Sequence, residues 1–323
     1  MENQELNLAT LVTVFATEEA AISCLETKRW PNGPICPFCD SKKIYSLKPK
    51  PESVMPVRLG VHKCAVCRKQ FAVRIGTVFE DSHIPLNKWL TAIHLMTSSK
   101  KGVSSLQLSR ELGITPKSAW FLTHRVREAM SEKPSKNLLC GTVEVDETYV
   151  GGKPRKDNND DGPKNKRGRG TEKTPVMALV ERNGDAFSKP IKKVDGKTLK
   201  GTIRQMVDKD STIMTDEWKS YIGIGKDFSG GHHVVKHSDG EFVQGNVFTN
   251  TVESYFALLK RGVMGIFHHL STWHLHRYCN EFSFRWNYRK VSDGERMVAA
   301  IEGVVGKRLT YRPILEYSYS LIC

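Results

Sequence analysis

The sequence contains no long apolar run and no recognisable export signal. No stretch of the 323 residues approaches 18 consecutive apolar side chains, so nothing in it resembles a transmembrane helix. In the first 30 residues acids precede the apolar stretch, and no small-residue cleavage site follows it. We therefore expect a soluble cytoplasmic protein that has no membrane partner.

Acidic residues are in short supply. The chain has 35 Asp and Glu against 49 Lys and Arg, which gives a formal net charge of +14 at pH 7. A surplus of this size commonly attracts a polyanion, and nucleic acid is the first candidate. A basic protein with no such partner is the alternative. The length is sufficient for a catalytic core with smaller modules, so two or three domains are expected.

A disulfide framework is not expected in an unexported chain, so the cysteine spacing needs another explanation. Cys36 and Cys39 form "CPFC", and Cys64 and Cys67 form "CAVC". Two such knuckles supply four thiolates to one tetrahedral Zn²⁺ with no open position, so the site would be structural. This spacing predicts a zinc ribbon over residues 20–75. A redox dithiol would need a βαβ context that is absent here.

Residues 85–131 have the pattern of three helices. Trp89 and Ile93 recur at helical spacing, Gly113 is suited to end the second helix, and Thr115 with Pro116 is suited to begin the third. This arrangement predicts a helix-turn-helix DNA-binding domain, with an ordinary three-helix bundle as the alternative.

The third helix would place Ala119, Leu122 and Val126 in the core of that domain. Its other positions are the candidates for DNA contact, and these are Lys117, Ser118, Trp120, His124, Arg125 and Arg127.

From residue 140 the pattern changes to strands, after a polar linker at 131–140. The predicted order is strand, strand, strand, helix, strand, which is the order of an α/β ribonuclease H-like core of the retroviral integrase type. Between the first two strands, residues 151–173 are rich in Gly, Asn, Asp, Lys and Arg and too poor in apolar residues to order themselves. This basic loop either follows DNA phosphates or is a solvated insertion.

The stretch "GTVEVDETYVGGK", residues 141–153, places acids in a predicted core strand. Alternation puts Val143 and Val145 on one face and Glu144 and Asp146 on the other. A buried acid is costly unless it holds a cation. Further acids follow a later strand and lie on a predicted helix.

Those further acids are Asp216, in "TDEW", and Glu253, which shares a helical face with Lys260. Three carboxylates from separate elements suit Mg²⁺ or Mn²⁺, and a pair of such ions can activate a water or a 3′-hydroxyl for phosphodiester attack.

The blocks "VEVDETYVGGK", "TDEWKSY" and "NTVESYFALLKRGVMGIFHHLSTWHLHRYCNEFSFRWNYR" resemble those of DDE-type bacterial insertion-sequence transposases. The resemblance is to the ISXO2-like group, which carries an N-terminal zinc ribbon. It implies that Asp146, Asp216 and Glu253 bind the catalytic metals and that Lys260 contacts DNA phosphate. Asn250, three residues before Glu253, is an alternative third ligand, because some relatives have Asn in place of the third acid, and Glu144 is a lesser competitor.

The resemblance further implies a catalytic domain over residues 140–305 and a homo-oligomer assembled on DNA. The activity would be binding of terminal inverted repeats, strand cleavage and joining of 3′-hydroxyl ends to target DNA, which would associate the protein with the bacterial nucleoid. Two other functions use the same features. They are a DNA-binding transcriptional regulator and a structure-specific nuclease or Holliday-junction resolvase.

Overall fold

The computed structural model describes residues 7–48, 57–131, 138–152, 171–235 and 248–310. Residues 132–137 of the predicted linker and 153–170 of the predicted basic loop lie outside these ranges. The chain divides into two compact units. The first comprises residues 1–98, 105–129 and 293–323, and the second comprises 99–104 and 130–292.

The first unit contains α1 (Leu8–Val14), α2 (Glu18–Arg29), β1 (Ile44–Leu47), β2 (Val61–Cys64), β3 (Gln70–Ala72), α3 (Leu86–Ser98), α4 (Ser105–Leu112) and α5 (Pro116–Ala129). The second contains β4 (Thr142–Val150), β5 (Thr174–Glu181), β6 (Ala186–Pro190), α6 (Gly196–Met206), β7 (Thr212–Asp216), β8 (His232–Val235), α7 (Asn250–Gly262) and α8 (Leu275–Asn287). A last helix, α9 (Asp293–Glu302), belongs to the first unit.

Local signals explain the helices of the first unit. The Thr17 hydroxyl accepts from the amide of Ala20 and caps α2. Gly113, at φ +59°, follows the end of α4, and the Thr115 hydroxyl accepts from the Ser118 amide at 3.2 Å at the start of α5. The predicted ends of these two helices are therefore confirmed. Strands β1, β2 and β3 form an antiparallel sheet in that order.

Helix α9 packs against α3 and α5 and buries Met297, Ala300 and Ile301. The predicted catalytic domain ran to residue 305, whereas the structure groups this helix with the first unit. The reason is the apolar face of α9, which the α3–α5 helices cover. The first unit is thus assembled from chain segments on both sides of the second.

Within the described ranges, no single helix is both long and apolar enough to cross a membrane, and the pair α1 and α2, which together meet those criteria, is bent by 100°.

The second unit is built on a five-stranded sheet in the order β6-β5-β4-β7-β8. Strands β6, β5 and β4 are antiparallel neighbours, and β4, β7 and β8 run parallel. The predicted order of strands and helix is confirmed. Helix α6 packs on the face that carries Val143 and Val145, and helices α7 and α8 pack on the opposite face.

Candidate active site

Strand β4 places the first acid where the two layers of the second unit meet. Val143 and Val145 are fully buried in the core beneath α6, so Glu144 and Asp146 face the α7 side, as alternation predicts. The parallel register pairs Glu144 with Met214 of β7. Two residues further along each strand come Asp146 and Asp216. Parallel strands therefore bring both acids to the same edge of the sheet.

The electrostatics connect Asp146 with the other predicted residues. Burial raises the pKa of Asp146 to about 6, and the neighbouring carboxylates of Asp216 and Glu253 add to that rise, while Lys260 opposes it. The Oδ1 atom of Asp146 accepts the amide of Glu147 at 2.7 Å. The other three residues named from the sequence thus lie near enough to Asp146 to affect its pKa, and two of them, Glu253 and Lys260, are exposed.

The donor set fits a hard divalent cation. The charges of Asp216 and Glu253 disfavour ionisation of Asp146, and a cation bound among the three carboxylates would relieve that effect; oxygen ligands of this kind suit Mg²⁺ or Mn²⁺. Their spacing is wider than that of a closed metal cage. Among the described residues, the four paired cysteines are the one group of possible ligands whose atoms all lie within 4.8 Å of one another.

Glu144 has a different role from the one considered for it. Its carboxylate is fully buried, receives the Arg182 guanidinium at 2.7 Å, and accepts the amides of Thr251 at 2.8 Å and Val252 at 3.0 Å. With its oxygens occupied in this way it is not a competing metal ligand. No local pattern predicts these partners, which lie 38 and more than 100 residues away in the chain.

Tyr221 and Glu147 also adjoin the site and were not identified from the sequence. The Tyr221 hydroxyl donates to Glu147 on the α6 side of β4. Burial and then the carboxylates of Glu147, Asp146 and Asp216 raise the pKa of Tyr221 well above its ordinary value. The contact engages Glu147 away from the face that carries Asp146.

Beside Lys260 lies a cavity of about 610 Å³ with a cationic lining. Lys101 and Arg261 provide the other charges, and all three cations are exposed. The remaining lining residues are Ala257, Met264, Gly265 and Ile266. This arrangement suits an anionic, partly apolar ligand.

The residues predicted to contact DNA from α5 divide into two groups. Lys117 is exposed and Ser118 is partly exposed, but His124, Arg125 and Arg127 are buried, which corrects the prediction that they face outward. The buried face of α5 is therefore wider than the positions of Ala119, Leu122 and Val126 alone would predict.

Specific contacts account for their burial. The Arg125 guanidinium donates to the carbonyls of Val78 at 3.0 Å and Glu80 at 2.7 Å. Arg127 donates to the Thr123 hydroxyl at 3.0 Å, and His124 stacks edge-on against Trp120 at 4.3 Å between ring centroids. Arg125 is therefore a structural residue of the first unit.

The four paired cysteines form the site that their spacing predicts. The Sγ atoms of Cys36 and Cys67 lie 3.6 Å apart, as do those of Cys39 and Cys64. A disulfide would need about 2.0 Å, whereas thiolates at about 2.3 Å around one tetrahedral Zn²⁺ come within about 3.8 Å of each other. The geometry therefore fits a structural zinc ion.

Two matching turns build this site. The amide of Asp40 donates to the Cys36 carbonyl, and the amide of Arg68 donates to the Cys64 carbonyl, both at 3.0 Å. Asp40 and Arg68 each have positive φ, near 54° and 60°. Each CxxC thus ends in the same tight knuckle, which turns its two sulfurs toward one point.

Two family models match separate stretches of the chain. A model described as the ISXO2-like transposase domain matches residues 138–287, and one described as the transposase zinc-ribbon domain matches residues 16–70. A relative from Halobacterium salinarum, described as an uncharacterized protein in transposable element ISH50, is 30% identical over 264 residues. That alignment covers 77% of this chain and 84% of the relative.

Similar solved structures include two complexes, each 12% identical to this chain. The Mos1 Strand Transfer Complex has a TM-score of 0.29, and the match covers 66% of this chain and 73% of the Mos1 chain. The Mos1 transposase paired-end complex with left transposon end has a TM-score of 0.27, and the match covers 68% of this chain and 80% of the Mos1 chain. At these scores the likeness supports no conclusion. The family matches and the ISH50 relative do, and by them the chain belongs to the ISXO2-like transposase domain family, as an insertion-sequence transposase with an N-terminal zinc ribbon.

Proposed function

We propose that this transposase cleaves DNA at the terminal inverted repeats of its element and joins the freed 3′-hydroxyl ends to target DNA. The observation that carries the proposal is the electrostatic coupling of Asp146 with Asp216, Glu253 and Lys260 at one edge of the sheet. Asp146, Asp216 and Glu253 stand on three different elements, β4, β7 and α7. A site assembled in this way from distant parts of the chain is unlike the scattered acids of a solvated surface.

The topology of the second unit supports a ribonuclease H-like core. Three antiparallel strands are followed by a helix and by strands that run parallel to the first, which gives the order β6-β5-β4-β7-β8. In this arrangement the central strand β4 presents Asp146 beside Asp216. Helix α7, packed on the same face, contributes Glu253 and Lys260.

The proposed roles follow from charge. Asp146, Asp216 and Glu253 hold the divalent cations, and Lys260 binds a DNA phosphate beside them. A pair of Mg²⁺ or Mn²⁺ ions held by these residues would activate the attacking oxygen as Lewis acids and stabilise the leaving oxygen. The chain's own residues supply the negative charge that collects those cations and the positive charge that aligns the strand.

Two surfaces are proposed to bind DNA. The cationic cavity formed by Lys101, Lys260 and Arg261 is suited to the phosphodiester backbone near the cut. In the first unit, α4 and α5 with their Gly113 turn would act as the helix-turn-helix, with Lys117 and Ser118 at the recognition surface. Two element ends have to be processed, so we expect a homo-oligomer on DNA.

The test is an assay in vitro with the element's own ends, a target plasmid and either Mg²⁺ or Ca²⁺. We expect cleavage and joining in Mg²⁺, and end binding without chemistry in Ca²⁺. Binding without cleavage in any divalent ion would indicate a DNA-binding regulator. Cleavage of branched or unrelated DNA without joining would indicate a structure-specific nuclease.

The same assay identifies the third metal ligand. We expect Glu253→Gln to remove activity and Asn250→Ala only to weaken it, because a carboxylate binds a divalent cation better than an amide does. Asn250 is the first residue of α7 and is exposed, whereas the Glu253 carboxylate interacts with Asp146. The opposite pattern would assign the ligand to Asn250.

A further inference from the structure

We propose that the buried ion pair of Glu144 and Arg182 positions the three metal-binding carboxylates relative to one another. This inference rests on the proposed function of those carboxylates. Neither residue is proposed as a metal ligand, because the Glu144 oxygens are occupied by other donors and Arg182 is a cation. Both are positioning residues, which act through the elements that carry Asp146, Asp216 and Glu253.

The Glu144 carboxylate occupies the N-terminus of α7. Its Oε2 accepts the amides of Thr251 at 2.8 Å and Val252 at 3.0 Å, and its Oε1 accepts the Thr251 hydroxyl at 2.9 Å. Thr249, which precedes the helix, makes no side-chain cap of its own. The first-turn amides of a helix need acceptors, and a negative charge is favoured there. A residue of strand β4 therefore caps α7.

Arg182 extends the contact to two more elements. Its Nε donates to Glu144 at 2.7 Å, and its NH2 group donates to the Phe248 carbonyl at 2.8 Å and contacts the Met214 sulfur at 3.0 Å. The guanidinium carbon also lies 3.6 Å from the centre of the Phe248 ring. Arg182 thus links β4 with β7 and with the segment that leads into α7.

The positions of these contacts along the chain carry the argument. Glu144 precedes Asp146 by two residues on β4, and Met214 precedes Asp216 by two residues on β7. Val252, whose amide Glu144 accepts, is followed directly by Glu253. Each of the three carboxylates is therefore one or two residues from a direct contact of the ion pair. A shift of α7 or β7 against β4 would therefore lengthen these contacts as it changed the spacing of the acids.

The ion pair is costly to bury, and a carboxylate with 0% exposure needs all its partners. Glu144 has four donors on two oxygens, which satisfies it completely. Apolar residues would fill this space without that cost but would fix no direction. Charged hydrogen bonds fix distance and angle, which is what a site with three ligands from three elements requires.

The experiment compares wild type, Glu144→Gln and a matched control, Glu281→Gln. Glu281 is also fully buried and paired with an arginine, Arg285, at 2.5 Å, but both lie on α8, which carries none of the three acids. Binding of Mn²⁺ is followed by electron paramagnetic resonance on the full-length protein. Asp146→Asn provides the background from Mn²⁺ bound elsewhere. Amide hydrogen exchange of residues 249–256 is measured on the same samples.

We expect Glu144→Gln to raise the Mn²⁺ dissociation constant by roughly 10–100-fold, the range found when partners behind metal ligands are removed. Exchange of the Thr251 and Val252 amides should accelerate in the same variant. Glu281→Gln should leave the Mn²⁺ dissociation constant and the exchange rates of these amides within about twofold of wild type, even where it lowers the melting temperature. The reason is that Glu281 lies on a helix that carries none of the metal-binding acids. A merely structural role for Glu144 would make the two variants alike.

Thr251→Val keeps the proposal testable if Glu144→Gln does not fold. It removes the one hydroxyl bond to Glu144 and retains the side-chain shape and the amide bond. We expect a smaller rise in the Mn²⁺ dissociation constant, with wild-type folding.

The inference is overturned if the folded Glu144→Gln protein, or Thr251→Val in its place, binds Mn²⁺ as wild type does or retains wild-type exchange in α7. Wild type that binds no Mn²⁺ beyond the Asp146→Asn background would instead refute the proposed function, and the positioning role with it.

Discussion

Asp146 is the residue at which function and stability conflict. Asp146 is partly buried, and burial together with the nearby charges of Asp216 and Glu253 raises its pKa to about 6 from an ordinary value of 3.8. In the absence of a divalent cation, the folded protein therefore carries a charge that its surroundings disfavour at neutral pH. Strain of this kind is expected where a cation is to bind.

A first prediction follows for the stability of Asp146→Asn in buffer without Mg²⁺ or Mn²⁺. Between pH 4 and pH 6 native Asp146 holds a proton that the unfolded chain has lost, so wild-type stability falls as pH rises through this window. Asp146→Asn has no carboxyl group at this position, so its unfolding free energy does not fall for this reason. Its advantage in unfolding free energy should grow across the window to at most about 3 kcal/mol and stay constant above pH 7.

Denaturant unfolding at several pH values measures this difference, and titrating groups that do not interact with Asp146 cancel because both proteins share them. Added Mg²⁺ should stabilise wild type more than the variant. An advantage that is the same at pH 4 and pH 7 would show that Asp146 has an ordinary pKa.

A second prediction separates two basic residues of α5. Lys117→Ala should weaken binding to the element's ends and reduce the dependence on salt by about one phosphate contact, with no change in melting temperature. Arg125→Ala should instead lower stability by about 3 kcal/mol, because it leaves the carbonyls of Val78 and Glu80 without their donor. Fluorescence anisotropy and thermal unfolding measure the two effects. Equal losses of DNA affinity at equal stability would contradict the assignment.

The difference between Lys117 and Arg125 shows the limit of a single sequence at the residue scale. Alternation along β4 was enough to place Asp146 opposite Val143, because strand geometry has a fixed period. Burial of Arg125 depends on carbonyls 45 and 47 residues away, and no local period encodes them. The same applies to Glu144 and its partners.

At the scale of elements, local chemistry was informative. Gly113, Thr115 and Pro116 marked the end of α4 and the start of α5, because the left-handed position and the cap are determined by single residues. The cysteine knuckles were equally readable, since metal geometry restricts their spacing. The capping of α7 could not be predicted in this way, because the acceptor is the Glu144 carboxylate, which belongs to strand β4.

A third prediction concerns the zinc-binding element. Protein purified without chelators should contain one zinc ion per chain, and Cys36→Ser with Cys64→Ser should contain none, because the change removes one sulfur from each knuckle. Elemental analysis measures the content. Cys24→Ser, at a half-buried cysteine outside the cluster, is the control and should retain the metal. A double variant with full zinc content would refute the site.

At the scale of the whole molecule, the first unit is discontinuous in sequence. Helix α9 follows the second unit along the chain but packs on α3 and α5. Its packing partner could not be predicted from the sequence, because an apolar helix face does not specify what covers it. The family match, which ends at residue 287, stops before this helix.

A fourth prediction tests that arrangement. A Cβ on Gly303 would lie 2.2 Å from the Ala129 carbonyl oxygen, so Gly303→Ala should weaken the packing of the segment after α9 and lower the stability of the first unit by about 1–3 kcal/mol. Gly201→Ala is the control. Gly201 is an exposed position of α6 where an added Cβ would have no atom within 4 Å, so this change should stabilise the protein slightly. Calorimetry distinguishes them. No loss for Gly303→Ala would contradict the packing of this segment.

The central claim is that Asp146 belongs to a metal-dependent site that cuts and joins DNA. The most direct measurement is strand transfer of the element's own ends in Mg²⁺ by Asp146→Asn beside wild type, with end binding recorded on the same preparations. The account predicts that the variant binds the ends as wild type does and forms no cleaved or joined product, because an amide keeps the shape of the side chain but lacks the charge that collects the cations. Full strand transfer by Asp146→Asn in Mg²⁺ would contradict it.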